Sequence, residues 1–338
     1  GSAGVELYAS KEAKVVRGTN LTDAMIIAGE ESSLVIGDNE ESAQIVIDGN
    51  REYVEENNLR SSAAIVIVDG YGAEFDNCII QNNVNNIDGN GGLISIIDRD
   101  SAEETETTRK YMSVLKSTSQ IIPLGSAASS SGDYTLNVGS LLQNGSASDG
   151  GGLNWNGSKS KKVNINGTIR SCYASNRGGG IYAYMAISIF SSSGILTLNV
   201  SGSITSNDAK YGGGIYQYAY RTVKAEIHTT VSGGITWNES TEEGGGCQMY
   251  GQGTHEFTLS TSGRIEDNSS KNGGGIFVSS DNNPRDVDIN GILANNSASS
   301  NGGGIYGTYN SNTSWSITSS RVYDNTASGS GDNTYGLG

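Results

Sequence analysis

Ile204-Thr205-Ser206-Asn207-Asp208-Ala209-Lys210-Tyr211-Gly212-Gly213-Gly214-Ile215-Tyr216 is the stretch that decides the fold. Its grammar returns from about Gly139 to Ala327: Gly-x-Ile or Leu, an Asn three residues after the aliphatic, a small residue two places on, then Gly-Gly-Gly-aliphatic. First triplet glycines fall at 150, 178, 212, 244, 273 and 302, so copies recur after 28, 34, 32, 29 and 29 residues. The Asn column reads Asn144, Cys172, Asn207, Asn238, Asn268, Asn296 and Asn325. Two places later stand Ser146, Ala174, Ala209, Ser240, Ser270, Ala298 and Ala327, and three places earlier Leu141, Ile169, Ile204, Ile235, Ile265, Leu293 and Val322.

Ahead of each copy lies an alternating segment such as Leu196-Thr197-Leu198-Asn199-Val200, whose period of two puts its aliphatics on one face of a strand. Each repeat therefore reads as three short strands: the alternating one, the Gly-x-Ile one and the one opened by the glycine triplet. Three strands per 28 to 34 residues describe one coil of a parallel β-helix. Propeller blades need about 40 to 45 residues and four strands, and the strictly spaced leucines of a leucine-rich repeat are absent. Coils stack about 4.8 Å apart, so each column lands on itself in the next coil. A stacked Asn amide donates and accepts along the column, small residues fit the corner, and the glycines permit a sharp turn. All three columns are scaffold on this reading.

Outward from the array, residues 1 to 80 give short β-branched runs about ten residues apart, including Lys14-Val15-Val16, Leu34-Val35-Ile36 and Ala64 to Val68, which predict an N-terminal cap and irregular first coils. A degenerate copy follows at Ile80 to Ile94. The excess length before Gly150 falls in about 97–132, where Ser101-Ala102-Glu103-Glu104 has capping-box character and a short helix or solvated loop is expected. Residues 139–327 hold the regular repeats, and 328–338 read as the end of a segment cut from a longer protein. The whole of 1–338 is expected to be one all-β solenoid domain.

With 21 Lys and Arg against 36 Asp and Glu, the formal net charge of −15 disfavours nucleic acid as a partner. No apolar run is long enough to span a bilayer as a helix. Cys78, Cys172 and Cys247 cannot all pair, lie at no metal-ligand spacing and read as small apolar fillers. No cofactor is expected. Calcium has acidic candidates in Glu242-Glu243 and Asp286-Val287-Asp288 but no calcium motif, and solvated loop carboxylates look the same in sequence. His228 and His255 flank no nucleophile, and no hydrolase or metalloprotease motif occurs. No catalytic residue is assigned.

The strand after each triplet carries the functional expectation. If Ile181, Ile215, Ile276 and Ile305 point inward, alternation sends Tyr182, Tyr216, Phe277 and Tyr306 outward, with Tyr184, Tyr218 and Tyr250 beside them. Such a stripe of hydroxyl-tipped rings suits sugar rings and protein surfaces, and equally suits plain stacking between coils.

Ile-x-x-Asn-x-Ala followed by Gly-Gly-Gly-Ile, as at Ile204 to Ile215, resembles the paired short motifs of polymorphic outer-membrane-protein repeats and related adhesin-like surface proteins. Those repeats have Phe where this chain has Ile or Leu, and Gly-Gly-Ala where it has the glycine triplet. The resemblance covers roughly 139–327 and implies a right-handed β-helix, extracellular and displayed on a cell surface, that adheres to a glycan or a host or cell-surface protein. The sequence leaves two rivals in place, a polysaccharide lyase or glycoside hydrolase on the same scaffold and a purely structural spacer. It says nothing of oligomeric state.

Overall fold

In a computed structural model, the structure describes residues 3–7, 9, 11–19, 21, 23–37, 43–59, 64–86, 90–98, 132–187, 193–220, 224–279, 284–308 and 312–337. The chain is a right-handed parallel β-helix, and every strand pairing is parallel and links one coil to the next. Sheet partners lie about one repeat apart in sequence: Ile181 pairs with Ile215, Ile215 with Cys247, Cys247 with Ile276 and Ile276 with Ile305. The expected insertion at 97–132 lies almost wholly outside the described residues. Among these, the one α-helix spans Arg51–Glu56, a short element that the sequence reading did not anticipate.

The three strands read from each repeat are present, with a fourth beside them. In the coil of the opening motif they are Gly194–Val200, Ser203–Thr205, Asp208–Tyr211 and Ile215–Tyr220. The added strand, Asp208–Tyr211, arises because the residue before each column Asn takes a left-handed conformation and bends the chain, which then runs extended again. That residue is Ser171, Ser206, Trp237, Asp267, Asn295 or Asp324, with φ between 52 and 58°. In an earlier coil the same path is one strand, Leu141–Asp149, pairing with both Thr168–Arg170 and Tyr173–Arg177.

Alternation buries one face of the strands in the regular coils. Ile169, Ile204, Ile235, Ile265 and Leu293 form one continuous aliphatic row at 0 % exposure, and Ile181, Ile215, Cys247, Ile276 and Ile305 form another. Burying each such side chain stabilises by about 1.5–3 kcal/mol. The row carries straight through Cys247 because a thiol packs as a small hydrophobe.

The Asn column closes the corner between these rows. Asn238 donates through Nδ2 to the Ile204 carbonyl at 3.0 Å and to Asn268 Oδ1 at 3.0 Å, while its own Oδ1 accepts the Asn207 backbone N–H at 3.0 Å and Asn207 Nδ2 at 2.9 Å. Both donors and both acceptor sites of the amide are thus used. Asn268 and Asn296 repeat the arrangement, and Asn325 donates onward to Asn333 Oδ1 at 3.0 Å. Cys172 holds an Asn place without an amide, donating its backbone N–H to Asn207 Oδ1 at 3.0 Å and its thiol to the Arg170 carbonyl at 3.2 Å.

One member of the expected ladder is misplaced. Leu142, not Leu141, pairs with Ile169, and Ala147, not Ser146, pairs with Ala174. Asn144 therefore lies at the left-handed bend, φ 56°, with its amide on Asn82 Oδ1 at 3.0 Å, and Gly145 takes the ladder place. The reason is steric. In the preceding coil Leu93 stands where later coils have the third glycine, since Gly91 and Gly92 hydrogen-bond as the first two do. A Cβ on Gly145 would come within 2.1 Å of the Gly151 carbonyl and 2.6 Å of Leu93 Cγ. In later coils the crowding runs the other way: a Cβ on Gly214 would meet the Gly246 carbonyl at 2.5 Å and Asn238 Nδ2 at 3.1 Å. Large and small side chains have exchanged places across that corner.

Candidate binding face: the outer tyrosine cluster

Strands Ile181–Ala186, Ile215–Tyr220 and Cys247–Gly251 pair in register, with Ile181, Ala183 and Met185 turned into the core. Alternation sends Tyr182 and Tyr184 outward, next to Tyr216 and Tyr218 of the following coil and then to Gln248 and Tyr250. Ring centroids lie 5.8 Å apart for Tyr182 and Tyr216, 5.4 Å for Tyr184 and Tyr218, and 5.5 Å for Tyr218 and Tyr250. Tyr220, which the sequence reading left out, joins at 5.7 Å from Tyr218 and 6.1 Å from Tyr184. Its signal was available, because it continues the same alternation two places beyond Tyr218. Further along the face, Phe277, Tyr306 and Tyr335 form a second stack, 5.0 and 5.2 Å between centroids.

The stripe points outward but is only partly open. Tyr182, Tyr216 and Phe277 are 4 %, 5 % and 5 % exposed, whereas Tyr184, Tyr218 and Tyr306 are half-buried and Tyr250 is 39 % exposed. The exposed stripe expected from alternation is corrected to two layers. Next to the triplet Tyr182, Tyr216 and Phe277 lie under their neighbours, and two residues further on Tyr184, Tyr218 and Tyr250 reach solvent.

Arg177 is a cause of that covering. It precedes the triplet and makes a paired contact with Asp149, Nε to Oδ1 and Nη2 to Oδ2, both at 2.9 Å. Its guanidinium carbon sits 4.8 Å from the Tyr182 ring centre and 5.9 Å from that of Tyr216. The cluster thus holds a cation over two rings, with its charge matched by a carboxylate. Burial pushes the phenols of Tyr182 and Tyr216 well above their ordinary range, so both stay protonated at any physiological pH.

The other sequence candidates scatter. Glu242 pairs with Lys271 at 3.0 Å, and Glu243 accepts from Gln248 at 2.9 Å while burial and Glu242 raise its carboxyl. Asp288 accepts from Asn290 at 2.8 Å. His228 lies on the outer face of the alternating strands between Glu226 and Glu256, at 3.0 and 3.4 Å. His255 is fully buried, with Nε2 on the Tyr250 carbonyl at 2.9 Å and Arg285 in register beside it. The three cysteines are buried free thiols, and burial pushes those of Cys78 and Cys172 up to about 12 and that of Cys247 up as well. None is a poised nucleophile. Among the described residues, no group of three or more His, Cys, Asp or Glu is placed to hold a metal ion, and no helix is long and apolar enough to cross a membrane.

No protein-family model, curated protein or solved structure matches this chain.

Proposed function

We propose that this chain is a non-catalytic segment of an extracellular, surface-displayed β-helix, and that the outer tyrosine cluster binds a neutral glycan. The observation that carries the reading is the clustering of six tyrosines from three adjacent coils on one outer face. Tyrosine presents a flat apolar ring and a hydrogen-bonding tip with few torsions to immobilise, which suits a sugar face. Arg177, the cation over the Tyr182 and Tyr216 rings, is already matched by Asp149, which favours an uncharged ligand over an anionic one at those rings. Surface display rests on the resemblance of the Ile-x-x-Asn-x-Ala and Gly-Gly-Gly-Ile motifs to adhesin-like repeats.

The test is a glycan array read with the native chain and with Tyr184→Ala, Tyr218→Ala and Tyr250→Ala, the three outer-column residues. Loss of every positive signal in the triple variant is expected. Undiminished signal in that variant would overturn the assignment. A blank array with retained binding to host-cell surface proteins would move the cluster to protein recognition, and blanks in both assays would favour the spacer.

A further inference from the structure

Trp237 stands at a place where the fold asks for something else. It occupies the left-handed bend before the ladder Asn with φ 57°, where other coils carry Asn82, Asn144, Asp267, Asn295, Asp324 or a Ser. Asn and Asp enter that conformation readily because their short polar side chains bond locally, whereas a bulky side chain is strained there. The indole recovers little in packing, being 63 % exposed, the most solvent-open aromatic among the described residues. A strained residue that adds nothing to the core points to a role outside it.

Its surroundings define the chemistry. Asp267 holds the same bend in the next coil, Glu239 opens the strand that follows Trp237, and Asp208 stands in register with Glu239 in the preceding coil. Among the described residues none of these three carboxylates forms an ion pair; Arg264 pairs with Glu266 at 3.4 Å, Lys271 pairs with Glu242 at 3.0 Å, and Lys210 lies 5.0 Å from the Tyr211 ring centre. Burial first, and then the Glu239 charge, hold the Asp208 carboxyl above its usual range. Indole is the strongest of the aromatic faces for a cation, and carboxylates around it exclude anions and favour a positive group with an apolar stem.

We infer that the Trp237 corner is a second binding site, for a lysine or arginine side chain of an extended basic peptide, with the cation against the indole and among Asp208, Glu239 and Asp267. The site is independent of the tyrosine cluster, since it lies on the other sheet. An extended peptide along the solenoid axis rises about 3.3 Å per residue past bends about 4.8 Å apart, so one basic side chain seats at this corner while the residues on either side pass the neighbouring coils out of step. The overall charge of −15 draws such a segment toward the surface.

Intrinsic fluorescence reads the site directly, because Trp155 is fully buried and Trp315 is half-buried. The probe is the peptide Gly-Lys-Gly-Lys-Gly-Lys-Gly, titrated at low salt against its Nε-acetylated form and against maltohexaose. Expected is a saturable change with the basic peptide, weakened at least tenfold by acetylation, with no response to the sugar. By calorimetry, Trp237→Ala and Trp237→Asn should each abolish binding while circular dichroism stays native. Asp208→Asn with Glu239→Gln should weaken it several-fold and flatten its salt dependence. Tyr218→Ala should leave it unchanged, which separates this site from the glycan reading. Equal response to the acetylated peptide, or full calorimetric affinity in Trp237→Asn, would overturn the assignment.

Discussion

The asparagine corner and the tyrosine face recur at the same period and are built on opposite rules. At the corner, Asn207, Asn238, Asn268 and Asn296 repeat one geometry, each amide on the next at 2.9 to 3.0 Å. On the face, neighbouring rings are stacked at 4° for Phe277 and Tyr306, tilted at 39° for Tyr182 and Tyr216 and edge-on at 72° for Tyr216 and Tyr218. A buried polar group has few ways to be satisfied, so it must do the same thing in every coil. An outward ring has many ways to find contact, and the position is open to substitution, as Gln248 in the same column shows. Strict repetition marks what holds the solenoid together, and departure from it marks where the surface is free to specialise.

The sharpest test sets the two columns against each other. Asn268→Ala leaves the Asn238 amide and backbone N–H and the Ile235 carbonyl without their partner inside the corner. At about 1–3 kcal/mol for each buried group left unsatisfied, the expected loss is at least ~3 kcal/mol, checked by chemical denaturation. Gly214→Ala attacks the same corner sterically through the Gly246 carbonyl and should cost about 2–3 kcal/mol by the same measurement. Tyr218→Ala removes a half-buried outer ring whose neighbours lie 5.4 to 5.7 Å away, so about 1 kcal/mol is expected. If Tyr218→Ala proved as damaging as Asn268→Ala, the division between scaffold and surface would fail.

A buried position that breaks the pattern gives a pH-dependent prediction of middling size. His255 stands in an inward row between Ile227 and Arg285, and burial, then Arg285, holds its imidazole well below the ordinary 6.5. The folded chain keeps it neutral while the unfolded chain protonates it, so stability is full above pH 6.5 and falls below it. The slope is at most about 1.4 kcal/mol per pH unit for this one group. His255→Gln should flatten the part of the melting-temperature profile between pH 6.5 and 5 that this group causes. The smallest effect runs the other way: Trp237→Asn relieves the left-handed strain and should stabilise by about 1 kcal/mol in thermal melts.

Where the sequence could be read, it was read through spacing. The Ile204, Asn207 and Gly212 columns recur because stacked coils repeat their contacts, and those contacts are local to one corner. The same logic slipped by one residue at Leu141-Leu142 and Asn144-Gly145-Ser146-Ala147, where two aliphatics and a run of small residues fit two registers. At Gly145 a side chain would meet both the Gly151 carbonyl and Leu93 of the preceding coil, crowding that no local pattern reveals. The outward direction of the tyrosines was legible from alternation. Their burial was not, because Tyr182 is covered by Arg177 and by Tyr216 of the next coil, and lateral neighbours leave no trace in a single strand. What sets Trp237 apart is a bulky ring at a left-handed φ and open to solvent, and spacing conveys neither the angle nor the exposure.

The ladder of amides also has a direction. Every rung donates from one coil to the acceptor oxygen of the coil that follows, so the bonds align head to tail and polarise one another. The two ends of the row therefore make unlike demands on a neighbour. At Cys172 a single backbone N–H suffices to join, with no amide side chain at all. At Asn325 the next residue in line must present an oxygen, and Asn333 does so from the position of a third triplet glycine. Grafting coils onto this solenoid is consequently a one-way operation: a module spliced after the row must carry an acceptor in that slot, whereas one spliced before it needs only to leave room.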